Sequence, residues 1–186
     1  RALKRVAEGC CRALYDAWGG STLRAPEKAL QVLELAWHCP KAEVAGLVVH
    51  VASIVGHRLC AVNQYTEAVA LTCKALEYGE SSNLRHALAR SLSVVNPQAC
   101  VGEYESAMVL AQEEQRNAPT EEQERLYAAI LHNFATAKYG RGEVDKAMKL
   151  WQQSLDIYER IGHQQGTAAT LHDMARTRHA RGEVDE

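Results

Sequence analysis

The sequence predicts an all-α chain of antiparallel helix pairs, stacked in order into a right-handed superhelical solenoid of about four and a half repeats. Three observations lead there. First, the chain overlays on itself at a shift of 40 near its end: Ala128-Ala129-Ile130-Leu131-His132-Asn133-Phe134-Ala135 lies over Ala168-Ala169-Thr170-Leu171-His172-Asp173-Met174-Ala175. Arg141-Gly142-Glu143-Val144-Asp145 also recurs unchanged as Arg181-Gly182-Glu183-Val184-Asp185. Second, the punctuation continues backwards, and Ala29, Ala68, Ala107 and Ala147 follow one another at spacings of 39, 39 and 40 residues. Third, the composition is 47% apolar, with 12 Gly and 4 Pro sitting mostly where a helical pattern stops. That is enough apolar surface for a continuous core.

The helices are expected in pairs: 1–18 with 26–38, 43–61 with 65–78, 84–100 with 103–117, and 123–140 with 144–161, then a lone helix from about 167. The corresponding repeats are 1–39, 43–79, 84–117, 123–162 and an incomplete 167–186, read together as one domain and as a fragment of a larger protein. Breaks fall at Gly19-Gly20-Ser21, Pro40, Asn63, Gly79 to Asn83, Gly102, Asn117-Ala118-Pro119, Gly142, Gly162 and Gly182, where glycine, asparagine and proline end helices. Thr120 with Gln123 has the form of a capping box. Pro97 falls inside the fifth helix and should kink or end it, because it removes a backbone donor and crowds the preceding turn.

Composition also narrows function. The formal charge is -2, with no basic run, so neither nucleic acid nor a membrane surface is the expected partner. The longest apolar run, Val44 to Val55, is interrupted by His50 and Ser53 and is shorter than the roughly 20 residues a bilayer requires. The six cysteines include no Cys-x-x-Cys pair; they are read as small buried residues with free thiols in a reducing, cytoplasmic setting. A phosphate loop, a zinc-protease motif and a nucleophile elbow are all missing, so no enzyme, cofactor or metal is expected. Asp145 and Asp185 open helices, where acid favours the dipole.

The fourth repeat, with Leu131, Phe134, Ala135, Gly142, Ala147, Trp151, Ser154 and Leu155, resembles the tetratricopeptide repeat family. Leu171, Met174, Ala175 and Gly182 continue the match. Earlier repeats depart from it: Val94, Val95, Gly102, Ala107 and Ala111 stand in the third, and Gly56, Ala68 and Thr72 in the second. The closest likeness is to the longer repeats, of roughly 40 residues, of kinesin light chains and bacterial regulatory proteins. The resemblance implies a concave wall, lined by the first helix of each pair, that holds a protein or peptide as an adaptor or scaffold does.

On that register the wall carries His50, Ser53 and His57, then Leu92 and Asn96, then His132, Asn133, Thr136 and Tyr139, and finally His172, Asp173, Arg176 and His179. Asparagine amides pair with a peptide backbone, tyrosine offers contact area, arginine clamps a carboxylate, and clustered histidines would titrate near pH 6. Two other readings compete. One is a sensor or autoinhibitory array within a larger nucleotide-binding or effector protein. The other is a self-assembling array, joined end to end where Leu171, Met174 and Ala175 await a further helix.

Overall fold

The computed structural model describes residues 2–17 and 26–183. Among these it holds nine helices: α1 Ala2–Ala17, α2 Pro26–Ala36, α3 Lys41–Ala61, α4 Tyr65–Leu76, α5 Ser82–Val95, α6 Cys100–Asn117, α7 Glu121–Gly140, α8 Val144–Arg160 and α9 Gln164–Ala180. The expected all-α class and helix order are observed, and no strand occurs among the described residues. The Gly19-Gly20-Ser21 break and the Val184-Asp185 end of the repeated motif lie outside them.

The turns explain the period. At Asn63, Gly142, Gly162 and Gly182 the backbone enters the left-handed region, with φ of 63°, 77°, 67° and 73°. Each closes its helix with the same two hydrogen bonds. After α7, Gly142 N–H donates to Tyr139 O at 2.9 Å and Glu143 N–H to Lys138 O at 3.0 Å; after α3, Asn63 and Gln64 donate to Cys60 O and Leu59 O. This pattern satisfies the last carbonyls of a helix and folds the next one back. Glycine and asparagine reach that conformation at least cost.

Two compact units result, Arg1–Asn96 and Pro97–Glu186. In the first, α1 packs on α2, α2 on α3, and α3, α4 and α5 pack mutually. Its core runs from Cys11 of α1 through Val32 and Leu33 of α2 to Val44, Val48, Val51 and Val55 of α3, and on to Leu84 of α5. In the second, α6 packs on α7, α7 on α8, and α8 on α9. Ala135, Ala147, Trp151, Leu155 and Met174 cluster there, and Tyr104 of α6 stacks on Phe134 of α7 with ring centroids 5.3 Å apart.

Several expectations need correcting. Gly102 does not end a helix but lies inside α6, because Pro97 has already cut α5 at Val95 and Cys100 starts the next helix. The third repeat's register moves with it: Val94 and Val95 are exposed, and the buried stripe of α5 is Leu84, Ala87, Leu88 and Ser91. Thr120 Oγ1 accepts from Gln123 N–H at 3.2 Å. The reciprocal half of that capping box is missing, since Gln123 Oε1 is buried without a hydrogen-bond partner. Cys10 and Cys73 are exposed, while Cys11, Cys39, Cys60 and Cys100 are buried. Burial and the nearby Cys39 push the Cys11 thiol up to about 12.

Taken whole, α3 is long and apolar enough to cross a membrane by length and composition. The expectation of no such segment counted only the unbroken run. Here its valines face α2, α4 and α5 as core. At the other end, Met174 is buried against α8, so only Leu171 and Ala175 of the expected open face are exposed.

Candidate functional site

Helical spacing places His132, Thr136 and Tyr139 on one face of α7, with Asn133 beside them. The first helices of successive pairs are neighbours in this unit, as expected. His132 Nδ1 lies 3.1 Å from Thr170 Oγ1 of α9, and its Nε2 lies 3.5 Å from Asp173 Oδ2. Asp173 also pairs with Arg176, one turn on, at 3.4 Å. His132, Asp173 and Arg176 therefore form one polar seam across α7 and α9. Thr170 belongs to it as well: it is buried, and its hydroxyl donates to Gly166 O at 2.8 Å.

The other wall residues of this unit are arranged around the seam. Thr136 is exposed and donates to His132 O at 3.1 Å. Tyr139 is half-buried and tilts against Trp151, with centroids 5.8 Å apart. Asn133 is half-buried, and His172 and His179 are exposed. Thus the 40-residue equivalence of His132 and His172 does not extend to their surroundings. His132 faces α9, whereas His172 faces no further helix among the described residues.

In the first unit, α3 and α5 form a different seam. His57 Nε2 is 2.8 Å from Asn83 Oδ1, and its Nδ1 is 2.9 Å from Arg90 Nη1. Asn83 Nδ2 donates to Ser53 Oγ at 3.2 Å, and Ser53 Oγ donates to His50 O at 2.7 Å. The buried ring of His86 meets His57 edge-on, with centroids 4.9 Å apart. His50 is half-buried in T-shaped contact with Tyr15 at 5.9 Å, and it helps to line a hollow of about 260 Å³ with Arg12, Tyr15, Asp16, Gly46 and Leu47. Asn96 stands at the end of the helix that carries Asn83 and Arg90. It is the exposed cap of α5, with its N–H on Leu92 O.

Electrostatics correct one reading. Burial, the Arg90 cation and a smaller opposing effect of Asn83 leave His57 titrating near 4. Burial, His57 and Arg90 hold His86 well below the usual histidine range, and burial lowers His132 against the pull of Asp173. His57 and His86 are therefore neutral at pH 6, and His132 is shifted in the same direction, because desolvation penalises the charged ring.

Sequence reasoning missed Asn83, His86, Arg90 and Thr170. Asn83 was read as part of a break, yet Ser81 caps α5, its hydroxyl accepting from Leu84 N–H at 3.1 Å. That cap brings Asn83 into the first turn. A serine three residues ahead of an apolar run was the available signal.

Comparison with known proteins agrees with the geometry of the second unit. Residues 126–186 match the tetratricopeptide repeat family. No curated protein matches the chain.

Proposed function

Because the chain belongs to the tetratricopeptide repeat family over residues 126–186, a family that generally mediates protein–protein interaction, we propose that it binds an extended protein segment along the α7–α9 wall. The observation that carries this reading is the pre-oriented seam of His132, Asp173 and Arg176 beside Asn133 and Tyr139. Side chains already held by neighbours lose little freedom when a ligand arrives. The Asn133 amide carries both a donor and an acceptor, the two groups that an extended backbone also presents. Arg176 is more than half exposed and keeps donors beyond those that face Asp173.

The test is a peptide-library screen by fluorescence polarisation, followed by variants. Asn133→Ala should weaken the best binder about 5- to 150-fold, corresponding to a lost hydrogen bond of about 1–3 kcal/mol. Arg176→Glu should weaken acidic binders most and change their salt dependence. Both should leave the melting temperature nearly unchanged. Normal binding by both variants, with loss in Lys149→Glu on α8, would place the ligand on the second helices instead.

A second reading is end-to-end self-association, favoured by exposed Leu171 at the rim of a hollow of about 400 Å³ that Gly162, Thr167 and Ala168 also line. Light scattering separates the two. Under this reading Leu171→Glu abolishes a concentration-dependent dimer, and under the first it changes nothing.

A further inference from the structure

The seam of the second unit holds one hydroxyl between two neighbours. Thr170 Oγ1 of α9 lies 2.8 Å from Gly166 O and 3.1 Å from His132 Nδ1 of α7. A threonine hydroxyl has a single proton to give, and Thr170 is fully buried where α9 meets this ring.

The other ring nitrogen limits the choice. His132 Nε2 lies 3.5 Å from Asp173 Oδ2, and an ionised carboxylate only accepts. A neutral ring with its proton on Nδ1 would turn the Nε2 lone pair on the carboxylate, acceptor against acceptor. A neutral ring therefore carries its proton on Nε2, toward Asp173. Its Nδ1 is then an acceptor, and the Thr170 hydroxyl has to leave Gly166 O to reach it. Gly166 O stays bonded all the same, because the backbone N–H of Thr170, four residues on in α9, donates to it. A doubly protonated ring reverses the arrangement. Its Nδ1–H donates to Thr170 Oγ1, the hydroxyl returns to Gly166 O, and Nε2–H donates to Asp173. The same heavy-atom positions serve both arrangements, and one proton separates them.

Among the described residues, Asp173 is the group whose charge acts on this ring, and it favours the second proton while burial opposes it. Arg176 stands behind, 3.4 Å from Asp173 Oδ1. From α8 and α6, Trp151 and Tyr104 pack on α7 at Tyr139 and Phe134, and neither carries a charge.

We propose that His132, Thr170 and Asp173 form a proton-operated switch in the α7–α9 wall. With one ring proton the Thr170 hydroxyl serves His132, and the seam of His132, Asp173 and Arg176 is neutral. With two, the hydroxyl serves Gly166 O and the seam carries one positive charge. The switch sets the charge that the wall presents, so for its function it rests on the reading of α7–α9 as a receiving surface. Its operation does not depend on that reading.

The experiment is a nitrogen-15 titration of the full chain, labelled at histidine, from pH 8 to pH 4.5. His132 should be the Nε2-protonated tautomer at the alkaline end and an imidazolium at the acid end, with exposed His172 as the reference ring. Asp173→Asn, which keeps an acceptor and removes the charge, should move the His132 midpoint down. Thr170→Val, which keeps the shape and removes the hydroxyl, should move it down by less, because a charged donor then lacks its acceptor. Thr170→Ser should restore the native curve. Charged peptides from the library screen should change affinity between pH 7.5 and pH 5, and change less in His132→Gln. A neutral ring protonated on Nδ1 at pH 8, or a ring that keeps one state down to pH 4.5 in the folded chain, would overturn the proposal. So would a midpoint indifferent to both Asp173→Asn and Thr170→Val, or an equal change of affinity in His132→Gln. If His132 switches as described and no peptide perturbs Asn133 or Arg176, the switch stands and the α7–α9 reading fails. If peptides bind that wall while His132 keeps a single state, the reading stands and the switch fails.

Discussion

The two units solve the same packing problem in opposite ways. Gly56 of α3 and Thr72 of α4 correspond to Ala135 of α7 and Trp151 of α8, each displaced by 79 residues. In the second unit a fully buried tryptophan fills the joint between the helices, and an alanine fits opposite it. In the first unit the filler is a threonine, and a glycine stands opposite it. A Cβ added to Gly56 would lie 2.8 Å from Thr72 Cγ2 and 3.1 Å from Ala87 Cβ. The aromatic residue is therefore one of two routes to a dense core. Where the filler is Thr72, its methyl and Ala87 occupy the space that a Cβ at position 56 would need, and glycine is required.

The sharpest way to break this comparison is to truncate both fillers. Trp151→Ala should cost about 3–5 kcal/mol, since it empties a buried site the size of an indole. Thr72→Ala should cost only about 1 kcal/mol, chiefly its hydroxyl's bond to Ala68 O at 2.7 Å. Denaturant unfolding of the two variants measures the difference, and equal losses would mean that the joints are built alike.

The closeness of the first joint is tested by addition. Gly56→Ala should overpack it and destabilise by about 1–3 kcal/mol, whereas Ala135→Gly should not relieve any strain. Adding Thr72→Ser, which removes Cγ2 and keeps the hydroxyl, should recover part of the Gly56→Ala loss. Additive losses in the double variant, read from thermal melts, would mean that the threonine methyl is not what blocks a Cβ.

The polar seams differ too, and pH separates them. His57 titrates near 4 when folded and near 6.5 when unfolded, so the folded state resists a proton that the unfolded state takes up. Stability is complete above about pH 6.5 and falls as pH drops toward 4. The loss from His57 at pH 5 should be about 2 kcal/mol. His86, lowered in the same direction, adds to it. His132 contributes a decline of the same sign in the second unit, opposed there by Asp173. Hydrogen exchange at pH 7 and pH 5 should show α3 and α5 amides losing more protection than those of α7 and α9, and His57→Gln should reduce that difference.

Much of the fold was legible because it is written in local signals. Asn63, Gly142, Gly162 and Gly182 end helices through bonds that span only three or five residues, and Thr120 starts one through a bond spanning three. Such features are visible in any short window. Gly102 was misread for the same reason: its neighbourhood looks like the other turns, but Pro97 had already supplied the break and nothing remained for the glycine to end.

The candidate site was legible only in part. His132, Asp173 and Arg176 fall on the expected faces, because helical periodicity alone puts them there. That Asp173 serves two partners at once does not follow from periodicity. In the first unit the sequence placed Ser53 and His57 on the wall and passed over Arg90, Asn83 and His86, which decide what His57 does. Those contacts join residues 26 to 33 positions apart.

By itself, the sequence determined the repeat period, the number and order of the helices, the turns between them and the tetratricopeptide character of its last third. These depend on backbone chemistry within a few residues and on a pattern that recurs. Tertiary structure alone decided that Gly56 has no room for a methyl group, that α3 spends its apolar length as core, and that His57 is held neutral between Asn83 and Arg90. Each depends on how far apart two helices settle and on which turn of one faces which turn of the next. A shift of a single turn, about 5.4 Å, would exchange every one of those partners while leaving the helix pattern of the sequence as it is.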